Sequence, residues 1–263
     1  PSFAVAGTVC ALMGKFEDAK RLGYIGRKLT ERFDNPYIDS MTYVLYYGSV
    51  HSLFYPYSEC IDGFKEAQIF GAHTGNIFMA CTAAVATMSS LMFLGSGRWD
   101  SLLSRTVRVR DELIMYNNDT LLPLIRAYRQ YALNLTGRNP NGPIKLEGEE
   151  IPDLAAFLMR GGLTPYAQRI TVFLSMTLAY LFGDLNQARQ DALRNCKGWK
   201  KDISMHYALL MPFFRGLVWC RLFHRHGVSA YKRRARGELQ ILQGFIEVGL
   251  ANRKMIALIL EAE

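Results

Sequence analysis

Thr171–Leu193, TVFLSMTLAYLFGDLNQARQDAL, predicts two helices joined by a tight turn at Phe182-Gly183-Asp184. Before the turn the apolar residues leave no clear polar face, which predicts a helix buried nearly all round. After the turn, apolar and polar residues separate into two sides, which predicts a half-buried partner helix. The apolar side holds Leu185, Ala188, Ala192 and Leu193, and the polar side holds Asp184, Gln187, Arg189, Gln190 and Asp191. The stretch therefore predicts a helical hairpin.

Turn signals recur along the chain at a nearly even interval. They begin at Gly14, Pro56, Gly97, Gly183 and Gly227, which are 42, 41, 86 and 44 residues apart. The longest interval is about twice the length of the others, and a cluster of Gly, Asn and Pro at 137–143 lies near its middle. A fixed period near 42 predicts stacked helix pairs that bury their apolar faces only against their neighbours.

Helical periodicity extends over nearly the whole chain, and no long alternating run supports a strand. Helices are predicted near 2–13, 15–33, 36–54, 57–74, 76–95, 98–117, 119–136, 151–161, 164–182, 184–197, 201–225, 228–247 and 249–262. After the loop Gly137–Glu150, a helix is predicted to restart at Ile151-Pro152-Asp153, with Pro152 in its first turn. We expect one continuous all-α array: N-terminal repeats (1–136), a connecting loop (137–150) and C-terminal repeats (151–263).

The amino-acid composition limits the classes of protein to which the chain can belong. Half of the 263 residues are hydrophobic, which argues against disorder. The five cysteines are scattered without CxxC spacing, which favours reduced thiols in a cytoplasmic protein. The apolar first residues and the helical pattern that runs to the last residue predict a segment of a longer protein.

The net charge of +8 is concentrated in Lys197–Arg236, which holds ten Lys and Arg against the single acid Asp202. Lys232, Arg233 and Arg236 share a helical face that Arg225 extends, so these four residues form a possible contact patch. A solvated outer face is the favoured interpretation. The alternative is an RNA-binding helical repeat, in which Trp199, Tyr207, Trp219 and Tyr231 would be available for stacking.

Motifs that carry chemistry are missing from the sequence. It contains no phosphate-binding loop, GxGxxG, kinase catalytic loop, nucleophile elbow or HExxH. His224 and His226 point to different sides of a helix, and a Cys220/His224 pair would need two more ligands to hold zinc. His51 and His73 are predicted to be packed or surface residues. We therefore predict no catalytic, cofactor-binding or metal-binding residue in this chain.

Ile77–Leu94 raises the possibility of a polytopic membrane protein, because its eighteen residues carry no charge. Thr82, Thr87, Ser89 and Ser90 lie within it, and it lacks flanking aromatic and basic anchors. The inner helix of a stacked hairpin is often apolar all round, and this is the interpretation we favour.

Several motifs carry a resemblance to a known family. The Gly-x-aromatic-x-x-Ala start at Gly14, with looser versions at Gly97 and Gly183, is similar to the second helix of a tetratricopeptide hairpin. Leu178–Arg189, Met205–Leu217 and Asn252–Glu263 resemble segments of the tetratricopeptide-like region of large signalling proteins, in the same order. Gly63–Ala67 with Thr74-Gly75-Asn76 resembles an earlier unit of that region.

In that family the region lies between an AAA-type ATPase part and a histidine-kinase or nucleotide-cyclase part, and the catalytic residues belong to those flanking domains. The resemblance implies a right-handed solenoid of antiparallel hairpins. It also implies a non-catalytic segment that binds no cofactor, contacts protein partners or flanking domains, and couples parts of an ATP-dependent signal-transduction protein. Nucleic acid and membranes are not expected partners.

Overall fold

A computed structural model describes residues 1–94, 98–194, 206–250 and 254–263. No β-strand occurs among these residues, and the predicted all-α class is confirmed. The helices are α1 (Ser2–Leu12), α2 (Phe16–Phe33), α3 (Pro36–Tyr46), α4 (Ser52–Phe54), α5 (Tyr57–Thr74), α6 (Ile77–Leu94), α7 (Trp99–Met115), α8 (Leu122–Leu135), α9 (Leu154–Met159), α10 (Pro165–Leu181), α11 (Leu185–Arg194), α12 (His206–His226), α13 (Ser229–Glu247) and α14 (Lys254–Ala262). A π-helical turn (Tyr47–His51) joins α3 to α4.

Most predicted helices are present, with ends that differ from those in the structure by up to three residues over the described part of the chain. The single helix predicted over 36–54 is instead interrupted by the π-helical turn. The turn predicted at Gly97 and the helix start predicted near 201 lie outside the described residues. The helix start predicted at 249 is wrong, because Gly249 lies in a turn with φ of +83°, and α14 is described from Lys254. Within the described residues, no helix combines the length and the apolar character that crossing a membrane requires.

Contacts divide the described residues into two compact units. The first unit contains residues 1–94, 98–125 and 206, and the second contains residues 126–194, 207–250 and 254–263. The division falls within α8.

In the first unit, helices that follow one another in sequence pack together. Helix α1 packs on α2, α3 packs on α5, α5 packs on α6, and α6 packs on α7. Alternate helices also meet, since α1 contacts α3 and α3 contacts α6. Apart from its N-terminal turn, α6 is buried on most sides, as expected for an inner helix.

Glycine lets α1 and α2 approach closely. A Cβ atom built on Gly26 would lie 2.9 Å from the backbone nitrogen of Ala4, and one built on Gly7 would lie 2.9 Å from the nitrogen of Gly23. Side chains at these positions would separate the two helices, because atoms of ordinary size do not approach this closely. The small residues therefore set the distance between the helices.

The second unit contains the hairpin that Thr171–Leu193 predicts. Helices α10 and α11 pack together across Gly183, whose φ of +87° is a left-handed conformation that glycine adopts without strain. Residues 170–179 of α10 are all buried, so the prediction of a helix buried nearly all round is confirmed over that span.

One part of that prediction is wrong. Asp191, assigned to the polar side of α11, is buried, and Leu193, assigned to the apolar side, is exposed. The buried stripe instead runs through Leu185, Ala188, Asp191 and Ala192, because residues three and four apart share a helix face.

Helix α12 contacts α10, α13 and α14 in the second unit. The ring of Phe214 packs 5.8 Å from that of Phe173 on α10, and a Cβ atom built on Gly216 would meet the side chain of Leu260 on α14. On α13, Tyr231 stacks on Trp219 with ring centroids 6.0 Å apart. Consecutive and alternate helices are thus in contact in this unit as well.

The loop 137–150 is held to α8 by buried amide side chains. Nε2 of Gln130 and Nδ2 of Asn139 donate to Oδ1 of Asn134, at 2.8 and 3.1 Å. Nδ2 of Asn139 also donates to the carbonyl of Glu147, at 2.7 Å. This network replaces regular secondary structure, since it satisfies loop carbonyls that would otherwise be buried without partners.

The predicted restart of a helix at Ile151-Pro152-Asp153 is wrong by three residues. Helix α9 begins at Leu154, and Asp153 is its N-cap, accepting a 2.9 Å hydrogen bond from the backbone nitrogen of Ala156. A carboxylate caps a helix better than Ile or Pro does, so the helix starts after Asp153.

Candidate functional site

The predicted contact patch lies on the hairpin formed by α12 and α13. A turn at Gly227, with φ of +66°, joins the two helices. Arg225, Lys232, Arg233 and Arg236 are all exposed, and none forms a salt bridge with a described residue. The patch therefore presents four exposed cations, none of which forms an ion pair within the part of the chain that the structure describes.

The structure brings only part of the patch into one groove. Lys232 and Arg236 line a groove of about 300 Å³, together with His224, Cys220 and the acidic residues Glu261 and Glu263. Nζ of Lys232 lies 5.3 Å from the ring centroid of Phe223, within the distance of a cation–π contact. Arg225 and Arg233 do not line this groove.

Among the described residues, the aromatic side chains that would stack on RNA bases in the RNA-binding alternative are not exposed. Trp219 and Tyr207 are buried, and Tyr231 is half-buried against Trp219. Arg234 covers the ring of Trp219, with its Cζ atom 5.0 Å from the ring centroid. Trp199 and the cations Lys197, Lys200 and Lys201 of the predicted basic segment lie outside the described residues.

The cysteine and histidine side chains do not gather into a metal site in the part of the chain described, which contains no group of three or more potential ligands. Cys10, Cys60, Cys81 and Cys220 are free thiols, and Cys196 lies outside the described residues. Burial raises the pKa of Cys60 to about 12 and also raises the pKa of Cys81 and Cys220. These three thiols are therefore held in their protonated, weakly nucleophilic form.

A second candidate site is a cleft of about 340 Å³ in the first unit, here named the α2 cleft. It lies between α2 and the segment that runs from the end of α3 through the π-helical turn to Tyr55. Its lining consists of Glu17, Lys20, Arg21, Tyr24, Tyr46, Val50, His51, Phe54 and Tyr55. Single π-helical turns within helices are frequent at functional sites.

His51 is held in the α2 cleft by contacts to both ring nitrogens. Nδ1 lies 3.2 Å from the hydroxyl oxygen of Tyr46, and Nε2 lies 3.1 Å from Oε2 of Glu59. Burial lowers the pKa of His51, although Glu59 acts in the opposite direction. A neutral imidazole satisfies both contacts, because it accepts from the Tyr46 hydroxyl and donates to the Glu59 carboxylate.

Aromatic rings extend this arrangement to the rim of the cleft. The ring of Tyr55 stacks on His51, with centroids 4.4 Å apart and planes inclined by 19°. Nζ of Lys20 lies 5.3 Å from the ring centroid of Phe54 and 5.7 Å from that of Tyr55. Neither Lys20 nor Arg21 forms a salt bridge with a described residue.

The sequence did not predict the α2 cleft. His51 was interpreted as a packed or surface residue, and its contacts with Tyr46 and Glu59 follow from the π-helical turn, which regular periodicity does not reveal. The one sequence signal was the density of aromatic residues in Tyr43–Tyr57. No known protein family, curated protein or solved structure matches this chain.

Proposed function

We propose that this chain is a non-catalytic helical-repeat scaffold, in which hairpins stack as a right-handed, tetratricopeptide-like solenoid. The observation that carries the proposal is the contact pattern within each unit. Consecutive helices pair, and alternate helices meet: α1 with α3 and α3 with α6 in the first unit, α10 with α12 and α12 with α14 in the second. This pattern is what stacked hairpins require, because each pair buries its apolar face on the next.

The proposed role is to mediate protein–protein or interdomain contacts. Repeat arrays present extended surfaces built from several hairpins, and such surfaces suit partners better than small substrates. The motif resemblance favours an array that belongs to an ATP-dependent signalling protein, between an AAA-type ATPase and a kinase or cyclase. In such a protein the helical array would transmit the state of the ATPase to the kinase or cyclase.

Small-angle scattering of the purified chain tests the solenoid. A compact domain of 263 residues has a radius of gyration of about 18 Å. A solenoid is elongated, so its radius of gyration should clearly exceed that value, with a distance distribution skewed to long distances. A value near that of a compact domain would contradict the stacked arrangement.

The coupling role is tested in the parent protein. First, the coding sequence on either side is read, and an ATPase upstream with a kinase or cyclase downstream is expected. Residues 1–263 are then replaced by a flexible Gly/Ser linker of equal length. We expect the ATPase rate to persist while the kinase or cyclase no longer responds to ATP binding. Different flanking domains, or an unchanged response, would overturn the proposal.

The contact patch provides a finer test of partner binding. Reversing Arg225, Lys232, Arg233 and Arg236 to Glu should weaken binding to a flanking domain that is acidic. A control with the same change of charge compares Lys232→Glu with Arg236→Glu, two residues of the patch, against Arg105→Glu with Arg108→Glu, two exposed cations of α7. Salt-sensitive binding of single-stranded RNA, lost in the patch variant alone, would instead favour the RNA-binding alternative.

A further inference from the structure

The α2 cleft has the dimensions of a small-molecule site. Its volume of about 340 Å³ lies at the lower end of the range for ligand pockets, which runs from about 300 to 1,000 Å³. Aromatic rings and Val50 form one part of its lining, and charged or polar side chains form the rest. This combination is typical of sites that bind small organic molecules.

The charges that line the cleft favour an anion. Lys20 and Arg21 lie next to each other on α2, and Glu17 is the only acidic residue in the lining. Neither cation has a salt-bridge partner among the described residues. Glu59 does not line the cleft, and its carboxylate is engaged by His51. The lining therefore carries a net positive charge with two cations available.

The floor of the cleft is fixed before any ligand arrives. His51 is held by Tyr46 and Glu59 and covered by Tyr55, so its ring has one orientation. Lys20 rests against the rings of Phe54 and Tyr55, which keeps its ammonium group at the rim. A site with pre-positioned groups loses little conformational entropy when it binds.

We propose that the α2 cleft binds a small organic anion, with the acidic group of the ligand on Lys20 and Arg21 and its flat or apolar body against Tyr24, Val50 and Tyr55. The acidic group is a carboxylate or a phosphate monoester, since Lys and Arg bind both. Both ring nitrogens of His51 are already engaged, so it shapes the floor and does not act as a base. This site is separate from the scaffold role and does not depend on it.

Titration of the full chain with phenyl phosphate and with phenylacetate, followed by NMR, tests the proposal. At least one probe should bind saturably and shift the backbone signals of Lys20, Arg21 and His51. Preference for the phosphate or for the carboxylate identifies the acidic group. Benzylamine has the same ring and the opposite charge, so it should not bind.

Variants separate the site from general charge effects. Replacing Lys20→Gln and Arg21→Gln together should weaken binding by about tenfold or more, because two charge-assisted contacts are lost. Lys20→Arg should retain binding, and Arg105→Gln with Arg108→Gln, which removes the same charge elsewhere in the unit, should leave it unchanged. All four substituted positions are exposed, and thermal unfolding checks that each variant folds.

Three outcomes would overturn the proposal. They are the absence of saturable binding by either anion at millimolar concentration, equal binding of benzylamine, and equal weakening by the α2 and α7 variants. None of these results bears on the stacked-hairpin scaffold, whose tests are the scattering profile and the linker replacement.

Discussion

Ser175 Oγ donates a 2.7 Å hydrogen bond to Asp191 Oδ2, and both side chains are almost completely buried. This contact joins α10 to α11 within their shared interface. Nε2 of Gln187 donates to the same carboxylate oxygen at 3.0 Å. Burial raises the pKa of Asp191 even though both hydrogen bonds act to lower it. The hairpin is therefore held partly by a buried polar contact between two otherwise apolar faces.

Replacing Ser175→Ala should destabilise the chain. The substitution leaves the buried Asp191 carboxylate with one hydrogen bond fewer, which costs roughly 1–3 kcal/mol in the free energy of unfolding. Urea denaturation measures the change. The matched control is Ser104→Ala on α7, an exposed serine whose hydroxyl bonds its own helix, and we expect that change to stay within about 0.5 kcal/mol. Equal effects of the two substitutions would contradict the importance of the contact.

The pH dependence of stability should change in Asp191→Asn. Because the pKa of Asp191 is raised in the folded chain, the folded state takes up a proton before the unfolded state does as pH falls. Its contribution to the free energy of unfolding therefore increases from neutral pH down through the folded pKa, and levels off below the unfolded pKa of about 3.9.

Asp191→Asn cannot take up this proton, so stability measured against pH by urea denaturation should lack that increase. The difference between wild type and variant should thus favour the wild type more at acidic pH than at neutral pH. Asp62→Asn removes a carboxylate that is 78% exposed and serves as the control. A difference that does not vary with pH would show that Asp191 titrates as in an unfolded chain.

Asp191 also shows which features of the hairpin hydrophobic periodicity can predict and which it cannot. Hydrophobic periodicity predicted α10, α11 and the turn at Gly183, since those depend on local residue types. It assigned Asp191 to the solvent side because a charged residue is rarely buried without a partner. Two partners, Gln187 and Arg194, lie on α11 itself, but the third, Ser175, lies on the preceding helix. A pattern within α11 contains no information about Ser175.

The α2 cleft was not predicted for a related reason. The pattern predicted one regular helix over 36–54, whereas the structure contains a π-helical turn at Tyr47–His51. One such turn accommodates an extra residue and rotates every later side chain relative to the earlier ones. The meeting of Tyr46, His51 and Glu59 depends on that rotation, so regular periodicity gives it no signal.

Close approach of α1 and α2 predicts that Gly26→Ala is destabilising. The added Cβ would lie 2.9 Å from the backbone nitrogen of Ala4, and backbone cannot move aside cheaply. We expect a loss of about 1–3 kcal/mol in the free energy of unfolding. Gly237→Ala on α13 is the control, because a Cβ there meets nothing within 4 Å. It should stabilise the chain by up to about 1 kcal/mol, since alanine favours helix. Loss of stability in both would contradict the steric argument.

The ion pair between Arg215 on α12 and Glu238 on α13 should be costly to break. Its N–O distance is 2.6 Å, and both side chains are more than nine-tenths buried. Glu238→Ala leaves the buried guanidinium without this carboxylate, which typically costs about 3–5 kcal/mol. The double replacement Arg215→Met with Glu238→Leu should recover most of that loss. Chemical denaturation compares Glu238→Ala with the double variant, and a double variant as unstable as the single one would contradict this expectation.

The loop 137–150 should depend on a single amide. Oδ1 of Asn134 accepts hydrogen bonds from Gln130 and Asn139, and its Nδ2 donates to the carbonyl of Pro143 at 3.0 Å. Asn134→Asp keeps the shape and the acceptors of the side chain but removes the donor, and it buries a charge. We therefore expect proteolysis within the loop to accelerate at neutral pH.

Limited proteolysis with a protease that cleaves after Lys145 or Arg138 measures that change. Thr136→Ala is the control, because its hydroxyl bonds only carbonyls of its own helix end. At acidic pH the carboxyl group introduced at position 134 becomes protonated and can donate again, so a protease active in acid should cleave the variant and the wild type at more similar rates. Equal cleavage of the wild type and the Asn134→Asp variant at neutral pH would show that the loop is held mainly by Gln130 and Asn139.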